Sequence, residues 1–311
     1  MTAISPNIQT FYEQHPRTIL GTGIAMGTVA AATLLDQGVP TYRSLYLEKS
    51  ARLITTGHNA DHVTYTLPGC RTNSDWLADC VEPTFTERGD SAVIEYSERG
   101  FCIDSIKNKI IEEHMRNPDR TASFCAISMG GLVLTELMRD PEFHAIFFGK
   151  TEAIVYDSSP SCIEDIKTPA MRGLKIAGLV GNSSTALKIS NHIVARGAKA
   201  NIETLEDIEE AEDARSNLSK KQIVLSAIRG QHKLMRTTNL YAGEMAGSAK
   251  RVTYIRSDQD LDHVVDTGNA AIGYQFHYGG DIDCVFDTDR PLGSHAVGPR
   301  FASNLKQYLR V

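Results

Sequence analysis

The chain has 311 residues, 41% of them hydrophobic and 23% charged, a globular composition long enough for one large domain or a domain carrying an insertion. Its formal net charge of −6 argues against a nucleic-acid surface, because phosphate recognition needs concentrated Lys and Arg that this sequence lacks. The six cysteines include no CxxC pair and no Cys/His zinc spacing, so no metal site is expected.

Residues 18–35, "TILGTGIAMGTVAAATLL", run 18 positions without a charge between Arg17 and Asp36. That is the minimum length for a membrane span, and Gly23 and Gly27 supply the small residues that close helix contacts in lipid use. An anchor with the following domain on the far side of the membrane is the preferred reading. A soluble Ala/Gly-rich packing helix and a cleaved signal peptide stay open beside it. The same stretch spells "GTGIAMG" at 21–27. No β-branched strand precedes it and no acidic residue closes a βαβ unit, so a nucleotide-phosphate loop is not expected.

Strand and helix then alternate. "HVTYTLPG" (62–69) and "SAVIEYS" (91–97) are short β-branched runs bounded by turn residues, and both predict strands. "IDSIKNKIIEEHMR" (103–116) spaces its isoleucines helically until Asn117-Pro118-Asp119 stops it. "TASFCAIS" predicts a strand, "MGGLVLTELMRD" a helix and "EAIVYDSS" a strand. Such alternation predicts a mostly parallel sheet with right-handed crossovers and helices on both faces.

Residues 161–250 break the pattern with helical stretches and no convincing strand, a helical insertion between 41–160 and 251–311. Its acidic run at 203–213 is read as a solvated helix face. Alternation resumes with "RVTYIRS" (251–257), a helix around "VVDTGNAAIGYQF", "IDCVFD" (282–287) and a last helix over 299–309. Residues 1–40 form a separate N-terminal segment.

"AISMG" at 126–130 places Ser128 between a predicted strand and a predicted helix. A serine on such a tight turn has its hydroxyl pushed out above the sheet edge. Small residues two before and two after let neighbouring chain approach, and the following helix aims its N–H groups at the same point. The plain alternative is a serine N-cap on an ordinary glycine-containing turn.

With this elbow in this context, residues 51–311 resemble the α/β-hydrolase superfamily. The resemblance rests on "AISMG", on "LPGCR" (67–71) after an earlier strand, and on an acid and a histidine following in chain order. Alanine stands where many members carry glycine at the start of the elbow, and Pro68 stands where many carry histidine. The resemblance implies an α/β-hydrolase fold with the helical insertion as a cap, and acyl transfer from an ester, thioester or lipid ester. Ser128 would be the nucleophile and the backbone N–H groups of Met129 and Cys70 the oxyanion hole. His295 falls where the family's base falls, after the last predicted strand in "DRPLGSHAVGP".

The acid is drawn from "DQDLDHVVD". Counting from Ser257 in a small-x-x-Asp pattern selects Asp260, the preferred choice; counting back from Val264-Val265 selects Asp262. Asp258 lies in the same loop, and Asp157 ends the preceding strand. No dissociable cofactor is needed. The partners expected are a small-molecule ester or lipid and, through 18–35, a membrane. A non-catalytic binding protein on the same fold is the alternative. Cys70 and Cys80 could be bridged in an oxidising compartment. Cys102, Cys125 and Cys284, in or beside apolar runs, read as small buried residues.

Overall fold

The computed structural model describes residues 51–57, 61–70, 72, 74–97, 101–167, 225–242, 249–257, 262, 264–287, 305, 308 and 309. Among them run β1 (Arg52–Thr56), β2 (His62–Leu67), α1 (Ser74–Phe85), β3 (Asp90–Glu95), α2 (Ile103–His114), β4 (Thr121–Ile127), α3 (Met129–Arg139), α4 (Pro141–Phe147), β5 (Thr151–Asp157), α5 (Leu225–Thr237), β6 (Arg251–Ser257), α6 (Thr267–His277) and β7 (Asp283–Asp287). The strands form one 7-stranded sheet in the order β1-β3-β2-β4-β5-β6-β7. Only the β1–β3 pairing is antiparallel. This is the mostly parallel sheet the alternation predicts.

A parallel sheet must be covered on both faces, so its strands read as continuous apolar runs. β4 shows how one strand serves both. Phe124 and Ala126 belong to a core cluster with Ile110 of α2, Leu134 of α3, Met235 of α5 and Tyr274 of α6. Cys125 and Ile127, pointing the other way, pack with Leu77 and Val81 of α1 and with Leu305 and Leu309. The register aligns Leu67 with Ala126, Ile127 with Asp157, and Asp157 with Ile255. The C-terminal ends of β2, β4, β5 and β6 therefore share one edge of the sheet, and the loops that leave them are neighbours.

Three elements carry no clear sequence signal. β1 is a five-residue edge strand whose first residue is exposed. α1 contains Pro83, which reads as a helix breaker yet is tolerated near its end. α4 begins at Pro141, with Asp140 accepting from the backbone N–H of Glu142 and Phe143. The sequence reading absorbs that capping Asp140 into the preceding helix.

Of the three cysteines expected to be buried, two are not fully so, and the bridge open to Cys70 and Cys80 is not made. All six cysteines are thiols. The Cys70 Sγ–H donates to Gln231 Oε1 at 3.2 Å, while Cys80 lies buried on α1, where desolvation first and Asp79 second push its thiol up to about 11. Cys125 is fully buried, but Cys102 and Cys284 are only half-buried. Among the described residues no helix is long and apolar enough to cross a membrane. Residues 18–35, 168–224 of the insertion, Asp258, Asp260 and His295 lie outside the described residues.

Candidate active site

Ser128 sits at the turn from β4 into α3 with φ 52° and ψ −122°. Among the described residues, Ser128 and Ser158 are the non-glycine positions with positive φ, and they follow adjacent strands at the same sheet edge. A non-glycine residue in so sparsely populated a region costs about 1–3 kcal/mol and persists only where its surroundings impose it. Here they do: the Ser128 N–H donates to Asp157 O at 2.9 Å, and its carbonyl accepts from Gly131 N at 3.0 Å. A helix-capping serine has extended backbone and its hydroxyl turned onto the first turn. Ser128 has neither, since its side chain makes no capping bond.

The spacing of small residues has a steric cause. A methyl at Gly130 would collide with the Leu67 carbonyl, the last of β2. A methyl at Gly69 would stand 3.1 Å from Ser128 Cβ and 3.2 Å from Thr72 Oγ1. The loop Pro68-Gly69-Cys70 thus lies directly against the serine. Its outer carbonyl is held, because Tyr96 O–H donates to Pro68 O at 2.9 Å. Burial keeps that phenol far above its ordinary pKa, so the proton stays on the donor.

One described carboxylate reaches the same edge, and a second lies in a loop that leaves it. Asp157 ends β5 fully buried, and its Oδ1 accepts from Ser158 Oγ at 3.2 Å. Asp262, in the loop after β6, is 1% exposed, and its Oδ1 accepts from the N–H of Val264 at 2.8 Å and Val265 at 2.9 Å. Asp165 is buried nearby, accepting from Ser161 Oγ and two backbone N–H groups. The Tyr254 phenol records all three carboxylates: burial first, then Tyr274 and the charges of Asp262, Asp165 and Asp157, raise it well above its usual value.

Three of the described histidines belong elsewhere. His62 begins β2 and its Nδ1 meets Thr121 Oγ1 at 2.8 Å, at the opposite end of the strands. Thr121 precedes Ser128 by seven residues, a separation of ~23 Å along an extended strand. His114 packs on the Phe147 ring at 4.5 Å, and the His277 Nδ1 meets the Leu240 carbonyl at 3.2 Å.

Of the residues singled out by sequence, the structure brings Ser128, Met129, the Gly69-Cys70 loop and Asp157 to one edge, and places Asp262 in the loop after β6, where its charge acts on Tyr254; Asp260 and His295 fall outside what it describes. Sequence reasoning passes over Tyr96 and Gln231, which touch the loop at its two ends. Nothing in a single strand end or in "RGQHKL" marks them, because their role exists only through long-range contact. Among the described residues no group of three or more His, Cys, Asp or Glu could hold a metal ion.

No family model matches the sequence, and no curated protein matches it. Solved structures do. An esterase from Rhodococcus sp. ECU1013 superposes with a TM-score of 0.57 at 14% identity, over 83% of this chain and 94% of that one. A hydrolase from Pseudomonas aeruginosa PA01 gives 0.56 at 15% identity, over 83% and 92%. A lipase-esterase related protein from Clostridium acetobutylicum ATCC 824 gives 0.54 at 14% identity, over 83% and 99%.

Proposed function

From the premise that the chain has the α/β-hydrolase fold, we propose that it is a serine hydrolase that cleaves a carboxylic ester, thioester or lipid ester through an acyl-enzyme on Ser128. The observation that carries this reading is the positive-φ serine at the β4–α3 turn, whose hydroxyl leaves the helix uncapped. A strained backbone maintained by its neighbours at a strand-to-helix turn is what presenting a nucleophile requires.

In the proposed cycle, Ser128 Oγ bonds to the substrate carbonyl carbon while His295 accepts the hydroxyl proton. The tetrahedral oxyanion is met by the backbone N–H of Met129, which as the first residue of α3 has no intrahelical acceptor, and by that of Cys70. Collapse expels the alcohol or thiol, which takes the proton from His295, and water repeats the sequence to release the acid and restore Ser128. For the orienting acid, Asp262 has the attributes needed beside an imidazolium: burial and two N–H donors that hold one oxygen fixed. Asp260 is the competing choice. A serine in place of a carboxylate at the elbow disfavours dehalogenase and epoxide hydrolase chemistry.

The test is hydrolysis of p-nitrophenyl esters of rising chain length by wild type and Ser128→Ala. Turnover by wild type and a loss beyond a hundredfold in the variant are expected. A Ser128→Ala protein that retains turnover would remove the assignment, and inactivity of both proteins on the whole panel would favour a binding protein.

A further inference from the structure

We propose that Gln231, on α5 of the insertion, is a positioning residue that sets the direction of the Cys70 N–H toward the oxyanion; this rests on the hydrolase reading above.

Gly69 is the weak link in the proposed oxyanion loop. Without a Cβ its torsions are soft, and a larger residue there would press on Ser128. The direction of the next N–H, that of Cys70, must therefore be set from outside. Two contacts do this. Upstream, Tyr96 O–H holds the Pro68 carbonyl at 2.9 Å. Downstream, the Cys70 thiol donates to Gln231 Oε1 at 3.2 Å, across a sequence separation of 161 residues. Gln231 itself is 2% exposed, so its amide has exchanged water for this environment.

The two holders are linked through Phe101. The Tyr96 ring meets the edge of Phe101 with centroids 5.3 Å apart and planes at 75°. Phe101 in turn lies so close to α5 that a methyl on Gly230 would fall 2.7 Å from its Cβ. Contacts therefore run from Pro68 through Tyr96, Phe101, Gly230 and Gln231 to Cys70, closing a circuit whose last link is Gly69. A thiol is a weak donor, but the contact, once broken, leaves its buried partner unsatisfied, which costs stability. Its leverage is geometric, because an oxyanion donor works at 2.7–3.1 Å and a misplacement near 1 Å costs on the order of 10² in rate.

The experiment compares wild type, Gln231→Met, which keeps length and removes the acceptor, Cys70→Ala, which removes the donor but keeps the backbone N–H, and the double variant. Each single change should lower kcat about 10- to 100-fold with KM within a factor of about 2. The double variant should lose no more than the worse single one, since both break one contact. Peptide-resolved iodoacetamide labelling, read without any substrate, should show Cys70 alkylated severalfold faster in Gln231→Met. A kcat close to that of wild type, a loss confined to KM, additive losses, or unchanged Cys70 alkylation would overturn the proposal. If Gln231→Met does not fold, Cys70→Ala decides alone by its kcat and KM. Fluorophosphonate labelling of Ser128 in the same preparations separates the two levels: no labelling in wild type sinks the hydrolase reading, whereas labelling with an undiminished Gln231→Met kcat sinks this inference alone.

Discussion

In the proposed cycle Asp262 would have two separable tasks, one in stability and one in catalysis, and a pair of substitutions should divide them. Its Oδ1 accepts from two backbone N–H groups at 2.8 and 2.9 Å in a site 1% exposed. Asp262→Ala leaves both donors, the Val265 N–H buried and the Val264 N–H half-buried, without an acceptor. At about 1.5–3 kcal/mol for each bond to a charged group, the loss is about 3–6 kcal/mol. For a chain of this size that corresponds to a Tm fall of roughly 6 °C or more. Asp262→Asn keeps an amide oxygen in the same place and should cost only about 1 kcal/mol. Its effect on turnover is the reverse of mild. An amide favours the wrong histidine tautomer, so kcat should fall on the order of 10³ to 10⁴, equivalent to about 4–5.5 kcal/mol of activation free energy. The assays are thermal unfolding by circular dichroism and p-nitrophenyl ester hydrolysis, with Asp260→Asn beside them. A fully active Asp262→Asn protein with a crippled Asp260→Asn would refute the reasoning and give the orienting role to Asp260.

Gly69→Ala would bring a methyl to 3.1 Å from Ser128 Cβ, so kcat should fall at least about tenfold with little change in Tm, and an unchanged kcat would show that the loop does not bear on the reaction. His114 is buried without a hydrogen-bond partner on either ring nitrogen, and desolvation first, then Arg120 and Lys150, lower its pKa to about 4. The unfolded state, titrating near 6.5, binds the proton first, so stability is lost as pH falls from about 6.5 towards 4, by up to about 3 kcal/mol. Urea midpoints at pH 7.5 and pH 5 should differ less in His114→Leu than in wild type; an equal difference would place the acid sensitivity elsewhere. If residues 18–35 anchor the chain, full-length protein should resist carbonate extraction while a version starting near Tyr42 is soluble and active. Uncleaved full-length protein in the soluble fraction would exclude the anchor.

The sheet was legible because its strands are buried on both faces and so read as apolar runs between turns, as in "TASFCAI" and "EAIVYD". Ser128 was legible for a related reason: a β4-to-α3 turn crossed closely by the Leu67 carbonyl leaves room only for glycine at 130, and that constraint is written in five consecutive residues. The edge strand β1 escaped because one side of it needs no partner and its composition is mixed. The choice among the carboxylates of 258–262 escaped because spacing counts residues, while function depends on which side chain is buried and held. Two counts along the chain disagree, one giving Asp260 and the other Asp262; of the two the structure describes Asp262, which is buried and held through Val264 and Val265. Gln231 shows the same limit across 161 residues.

The central claim is that Ser128 is an activated nucleophile. Its most direct test is intact-mass and peptide mass spectrometry after exposure of the folded, full-length protein to a fluorophosphonate. The account predicts a single adduct on the peptide carrying Ser128, abolished in Ser128→Ala and slowed in His295→Ala. Absence of an adduct, or an adduct on another serine that persists in Ser128→Ala, would contradict it.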